Sequence, residues 1–297
     1  MTVQTNKGPE TPGTWTIGSI LNWTRQYFDS KGVENSRLDA EVLLSHVLET
    51  DRLYLYVHFD QPLEGRELAA YRENVRRRAA RQPVAYITGH REFMGLEFSV
   101  SASVLIPRPD TEILVEAAQE RLGVVAAPRL ADLGTGSGAI IVSLLHRLPA
   151  ARGIAVDISP EALNVAAANG QRHELGERLE CRLGDLFIPL AGEKFDAILS
   201  NPPYIPDGHL AQLAPEVHQE PRLALAGGTD GLDFYRRLVA ESDNYLNPGG
   251  FLALEVGIDQ AAAVVALADP QRLAAEAVIK DYAGIERVII FRAVKEG

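Results

Sequence analysis

A chain of 297 residues with 46% hydrophobic side chains is long enough for two compact domains, yet it has no apolar run of the ~18 to 20 residues that a spanning helix needs. Asp and Glu outnumber Lys and Arg by 40 to 29, and the resulting charge of −11 repels a nucleic-acid backbone unless a local basic patch compensates. The single cysteine, Cys181, excludes an intramolecular disulfide and a thiolate metal cluster, and the seven histidines show no metal-ligand spacing. The acidity is uneven: residues 1–90 hold eleven basic and eleven acidic side chains, so the whole excess, 18 against 29, falls on residues 91–297. The polar start lacks a signal peptide's apolar stretch, so a cytoplasmic location is expected, and a protein substrate is an easier partner than a nucleic acid.

Residues 1–13 show no apolar periodicity and read as a disordered tail. Helices are predicted over 17–29, stopping before Gly32, and from Ser36, where Asp39 three residues on suggests a capping box and Leu38, Val42, Leu43 and Val47 face inward. A short element covers 53–58. After Pro62 a longer helix sets Leu68, Tyr71, Val75 and Ala79 on one face, with Arg72, Arg76, Arg77, Arg78 and Arg81 around the other, which reads as a solvated face with partner docking as the alternative. From 93 to 106 the pattern turns to short alternating runs around Gly95 and Ser101, a hairpin joining two domains.

Helices and strands then alternate. Helices are predicted over 109–122, 139–148, 160–174, 232–245 and 260–268, and strands over 129–133, 153–156, 179–183, 195–201 and 251–256. Two consecutive runs at 275–280 and 287–293, separated by a turn with Gly284, add an antiparallel pair. The expected fold is α/β, a doubly wound and mostly parallel seven-stranded sheet. The expected plan is a tail over 1–13, a helical domain over 14–85, a β-hairpin linker over 86–106 and the sheet domain over 107–297.

The chemistry-bearing residues gather at strand ends. Asp132-Leu133-Gly134-Thr135-Gly136-Ser137-Gly138 leaves the first strand of the sheet and opens a helix, so backbone N–H groups can approach a ligand. With Ala139 the run also satisfies a dinucleotide fingerprint, which keeps a nicotinamide-dependent oxidoreductase open, and a tight turn without a ligand is the plain alternative. Asp157 ends the second strand, where a carboxylate can accept both hydroxyls of a ribose or cap the helix at Ser159-Pro160. Asp185-Leu186 ends the third strand, where an adenine would lie. Asn201-Pro202-Pro203-Tyr204 ends the fourth. Its two prolines cannot join a ladder, its Asn oxygen and a backbone carbonyl can each accept from an NH2 group, and its tyrosine offers a flat wall. A carboxamide or an exocyclic base amine fits such a clamp.

Together the glycine loop, the strand-two acid, Asn201 to Tyr204 and the closing antiparallel pair resemble the class I S-adenosylmethionine-dependent methyltransferases. The segments Ile106-Pro107-Arg108-Pro109-Asp110-Thr111-Glu112 and Glu220-Pro221-Arg222-Leu223-Ala224-Leu225-Ala226-Gly227-Gly228-Thr229-Asp230-Gly231-Leu232 are similar to those of the peptide chain release factor glutamine methyltransferases of the HemK or PrmC type. The resemblance spans about 17–292. It implies a helical domain that docks the release factor, and S-adenosylmethionine bound at Gly134 to Gly138, Asp157, Asp185, Leu186 and Asn201. It also implies an amide held by Asn201, Pro202, Pro203 and Tyr204, with no metal and no membrane or direct nucleic-acid partner. Transfer goes to the glutamine of a Gly-Gly-Gln motif. The alternatives are a glutamine methyltransferase of a ribosomal protein, an adenine-amino DNA methyltransferase, and a donor-binding relative without catalysis. Met94, where many relatives carry tryptophan, and Leu186, where an aromatic can cover adenine, depart from the pattern and bear on adenine packing.

Overall fold

A computed structural model describes residues 14–294, so the expected tail over 1–13 lies outside the described residues. The chain divides into two compact units between Gly89 and His90. The first is helical, with α1 (Ile17–Ser30), α2 (Ser36–Leu48), α3 (Arg52–Val57), α4 (Gly65–Ala79) and α5 (Val84–Thr88). Thr16 opens α1 with a reciprocal cap: its Oγ1 accepts from Ser19 N at 3.3 Å, and Ser19 Oγ accepts from Thr16 N at 2.9 Å. Ile17, Ile20 and Phe28 form the buried stripe and meet Leu43 and Leu44 of α2 and Tyr71 and Val75 of α4.

Four expectations for this unit are corrected: Ser36 as the cap, Leu38 as inward, Asp39 in a capping box and Arg78 on the solvated face. Asn35, not Ser36, holds the cap position of α2; Ser36 Oγ turns back to donate to Val33 O at 2.7 Å, and Leu38 faces out at 43% exposure. Asp39, expected in a capping box, instead accepts from Arg78 Nε at 2.7 Å, and Arg78 is 6% exposed. The helical repeat explains this, because Tyr71, Val75 and Arg78 fall on one face and the apolar stripe carries the guanidinium inward.

The second unit begins with a hairpin, β1 (His90–Phe93) and β2 (Leu96–Ser99), tighter and earlier than the predicted run over 93–106. Its turn is Met94-Gly95, with φ 55° and 76°. Two left-handed residues match the right-handed twist of a two-residue hairpin, and Met94 tolerates the position because Glu112 accepts from its N–H at 2.7 Å and Arg147 donates to its carbonyl at 3.0 Å.

Next come α6 (Glu112–Leu122), β3 (Arg129–Leu133), α7 (Ala139–Arg147), β4 (Arg152–Asp157), α8 (Pro160–Arg172), β5 (Leu179–Leu183), β6 (Phe195–Ser200) and α9 (Asp233–Glu241). The unit closes with β7 (Leu246–Glu255), α10 (Ala261–Val265), β8 (Leu273–Lys280) and β9 (Glu286–Ala293). The seven strands lie in the order β5-β4-β3-β6-β7-β9-β8, parallel except for β9, which runs antiparallel to both neighbours. This is the expected doubly wound, mostly parallel sheet. Alternate residues serve its two faces: Leu130, Ala197 and Leu199 pack with Ile141 and Leu144 of α7, while Ala131, Leu133 and Ile198 pack with Tyr235 and Leu238 of α9. The order reverses between β3 and β6, and ligands of open α/β sheets bind in the crevice beyond the carboxyl ends at such a reversal. Cys181 is half-buried on β5, and burial raises its thiol. Among the described residues no helix is long and apolar enough to cross a membrane.

Candidate active site

At the reversal, the loop after β3 is drawn against β4. Gly134 N and Thr135 N both donate to Val156 O, at 2.9 and 3.0 Å, and Gly136 N donates to Asp157 Oδ2 at 2.9 Å. Asp157 Oδ1 accepts from Ser159 N at 2.9 Å, so this carboxylate staples the glycine loop to the turn entering α8 while lone pairs on each oxygen remain for a guest. Ser159, not Asp157, is the helix cap. All three loop glycines have positive φ, and at Gly138 a Cβ would also sit 3.2 Å from Ala166 Cβ, so the third glycine lets α7 and α8 approach. Asp132 beneath the loop is fully buried; Thr135 Oγ1 donates to its Oδ2 at 2.7 Å, and its Oδ1 has no partner. Burial pushes its carboxyl up to about 7, against the pull of the Thr135 hydroxyl.

Beyond β6 the ladder stops at the two prolines. Ser200 Oγ donates to Leu133 O at 2.6 Å, and the chain then leaves the sheet to bridge with the segment after Glu220: Ile205 N donates to Leu225 O at 3.0 Å, and Gly227 N to Ile205 O at 2.9 Å. A Cβ on Gly227 would lie 2.8 Å from both Pro203 O and Tyr204 Cα, so only glycine allows this segment to press on the motif. Gln260 Nε2 donates to Tyr204 O at 2.9 Å. Glu220, buried, accepts from Ile106 N at 3.1 Å and pairs with Arg108. The two segments around Ile106 and Glu220 are therefore mutual supports beside Asn201 to Tyr204.

Asn201 Nδ2 donates to Thr111 Oγ1 at 3.1 Å, which spends a donor of the carboxamide and leaves its oxygen as the acceptor. Glu255, at the end of β7, is 1% exposed; burial pushes it up to about 7, while hydrogen bonding with Thr111, the charge of Arg287 and hydrogen bonding with Asn201 pull it down. Burial and the neighbouring Glu255 charge push the Tyr204 hydroxyl up to about 12, so the phenol stays neutral.

A cavity of about 440 Å³ joins these parts, and Gly134, Thr135, Gly136, Ser137, Asp157, Asp185, Leu186, Asn201 and Pro203 all line it. Gly138, Pro202 and Tyr204 stand behind its wall: Pro202 is buried and Tyr204 packs on the apolar cluster beneath α9. Asp185 faces the cavity with Arg237 donating to its Oδ2 at 2.8 Å. Leu186 holds φ 49°, a left-handed value that favours glycine. Met94 belongs to the core with Phe93 and Phe98 and does not line the cavity, which corrects its connection with adenine packing. Thr111, Arg237 and Glu255 were missed in the sequence. Glu255 had a signal, a lone acid inside the apolar strand Phe251-Leu252-Ala253-Leu254-Glu255-Val256.

The chain matches two family models, described as PrmC N-terminal domain over residues 19–89 and methyltransferase small domain over residues 109–262. A release factor glutamine methyltransferase of Geobacter sulfurreducens is 50% identical over 94% of this chain and 98% of that protein. One of Moorella thermoacetica is 48% identical over 87% of this chain and 92% of that protein. Among solved structures, the hMettl16 catalytic domain in complex with MAT2A 3'UTR hairpin 6 superposes with a TM-score of 0.56 at 18% identity. It covers 73% of this chain and 82% of that one, a likeness of fold.

Proposed function

The chain belongs to the release factor glutamine methyltransferases, and we propose that it transfers a methyl group from S-adenosylmethionine to the side-chain amide nitrogen of the glutamine in a Gly-Gly-Gln motif of a peptide chain release factor. The observation that carries this reading is the meeting of the glycine loop, Asp157 and Asn201 at one cavity, with the Asn201 nitrogen engaged by Thr111 and its oxygen left to accept. The residues fit the donor. Backbone N–H groups and the Asp157 carboxylate offer polar contacts to a carboxylate and a diol, and Leu186 with the exposed Ile158 offers apolar walls to a flat base. The donor supplies a methyl on a positively charged sulfur: the amide nitrogen's electron pair forms the N–C bond, the C–S pair leaves with sulfur as a thioether, and an amide proton passes to solvent.

An amide nitrogen is a weak nucleophile, so the chain's task is alignment and electrostatics. Asn201 Oδ1 and the Pro202 carbonyl accept the two amide hydrogens, which fixes the amide plane, while Pro203 and Tyr204 pack the segment. The strand-end acids Asp157 and Asp185 serve the donor. The helical unit docks the release factor, and the reaction belongs to the cytoplasm; neither a metal nor a nucleic acid takes part.

The test is to incubate the protein with labelled S-adenosylmethionine and, separately, a release factor, a large-subunit ribosomal protein and duplex DNA, then to locate the methyl group by mass spectrometry. Label on the Gly-Gly-Gln glutamine amide of the release factor alone is expected. Label on the ribosomal protein or on adenine with none on the release factor overturns the reading.

A further inference from the structure

Glu255 is a buried acid that does not line the cavity itself but engages both Thr111 and Asn201 of the clamp by hydrogen bonding. It ends β7, and its Oε2 has no hydrogen-bond partner. The charged and titratable groups around it come from every neighbouring element. Asp110 comes from the turn before α6 and Tyr204 from the segment after β6. Arg287 comes from β9 and is shared with Asp110 at 3.2 Å and Asp281 at 3.0 Å. From α9, the Tyr235 hydroxyl donates to the Glu255 backbone carbonyl at 2.9 Å. Thr111, 4% exposed, hydrogen-bonds with the Glu255 carboxyl and accepts from Asn201 Nδ2 at 3.1 Å.

We propose that Glu255, acting through the Thr111 hydroxyl, sets the direction of the hydrogen bonds that keep the Asn201 carboxamide oxygen available to the substrate amide. The inference rests on the reading of Asn201 as the amide's acceptor. A carboxamide turned by half a rotation exchanges its acceptor for a donor, so the clamp works only if one orientation is enforced. Thr111 has a single hydroxyl proton. An ionised carboxylate is acceptor-only, so it takes that proton and leaves Thr111 Oγ1 facing Asn201 as an acceptor, which selects the Nδ2 end observed at 3.1 Å. A protonated acid, or a carboxamide in its place, can donate to Thr111 instead. The hydroxyl is then free to donate to Asn201, and the flipped orientation, with NH2 toward the substrate, is no longer excluded. Glu255 is thus a positioning residue. Because burial lifts it to about 7, its proton leaves in the neutral range, and the orienting form gains population as pH rises.

The test compares the unaltered protein with Glu255→Gln, Thr111→Val and Thr111→Ser. It follows methyl transfer to the release factor from about pH 6 to 9 and donor affinity by calorimetry. The expected result has three parts. Transfer by the unaltered protein rises with pH along a limb near 7. Glu255→Gln and Thr111→Val lose roughly tenfold or more in kcat at about pH 8 and lose the limb, with KM for the release factor changed by less than about threefold. Thr111→Ser, which keeps the hydroxyl, retains the limb and stays within about threefold in kcat, and donor affinity holds in all three. Unchanged rate and pH profile in both Glu255→Gln and Thr111→Val overturns the proposal, as does a Thr111→Ser protein as impaired as Thr111→Val. If Glu255→Gln fails to fold, the Thr111 pair decides alone. Asn201→Ala separates the two levels: retained transfer there overturns the clamp itself, whereas lost transfer there with intact Glu255→Gln and Thr111→Val overturns only the positioning role.

Discussion

In the helical unit the buried carboxylates sit among arginines. Asp39 takes Arg78, and Glu41 takes Arg37 Nε at 2.9 Å, Arg52 at 2.6 Å and the Tyr56 hydroxyl at 2.5 Å. Burial works against the Glu41 charge, but the bonds from Tyr56, Arg37 and Arg52 outweigh it and hold the carboxyl below its ordinary range. At the strand ends of the second unit, Asp132 and Glu255 are buried as deeply, each with one oxygen lacking a hydrogen-bond partner, and both are pushed up to about 7. Full pairing fixes charge and geometry, as a scaffold requires. Incomplete pairing costs stability and leaves the group responsive to a proton or a ligand, a pattern that gathers at functional sites.

Removing a partner from a paired acid gives the largest stability effect. Arg78→Ala removes the buried guanidinium that pairs with Asp39 and is expected to cost about 3–5 kcal/mol. Trp15 and Trp23, the only two tryptophans, both lie in the helical unit, so urea unfolding followed by tryptophan fluorescence reads that unit alone. A loss below about 1 kcal/mol would show that the pair is solvated and would break the contrast.

The pH dependence is a smaller effect and runs in opposite directions. Glu41, with a lowered folded pKa, contributes stability that is present above its unfolded value and lost as pH falls through the folded one, in the acid region below about 4. Asp132 and Glu255, with raised folded pKa values, contribute stability that is complete below about 4 and lost as pH rises to about 7. Between those limits tryptophan-monitored stability should stay level, while hydrogen-exchange protection of β3 and β7 amides, corrected for intrinsic rate, declines. Asp132→Asn should flatten part of that decline. Equal slopes in both units would erase the distinction.

The order of elements was legible because the central strands are apolar runs that stop at a change of residue type: a glycine after Leu133, an acid at Asp157, prolines after Asn201. The lining residues at the strand ends, Gly134 to Ser137, Asp157, Asp185 and Asn201, announced themselves for the same reason, since they sit where the strand pattern breaks. What stayed hidden depends on contacts across the chain. Thr111 and Asn201 are 90 positions apart, Asp39 and Arg78 are 39 apart, and the tight packing of Gly227 on Pro203 exists only once two loops meet. The extent of the hairpin over 93–106 was overdrawn because Met94 is not a residue that advertises positive φ; its backbone is held by Glu112 and Arg147 and closes the turn with Gly95.

Single-turnover methyl transfer and calorimetric donor affinity, measured side by side on Asn201→Ala and Asp157→Ala, test the division of labour at the strand ends most directly. Asn201→Ala should lose at least ~10²-fold in transfer with donor affinity nearly intact, because only the alignment of the amide is gone. Asp157→Ala should weaken donor binding by roughly tenfold or more, because a charged acceptor and the staple on Gly136 are removed together. Retained transfer in Asn201→Ala, or unchanged donor affinity in Asp157→Ala, would contradict the assignment of the amide to one strand end and the donor to the other.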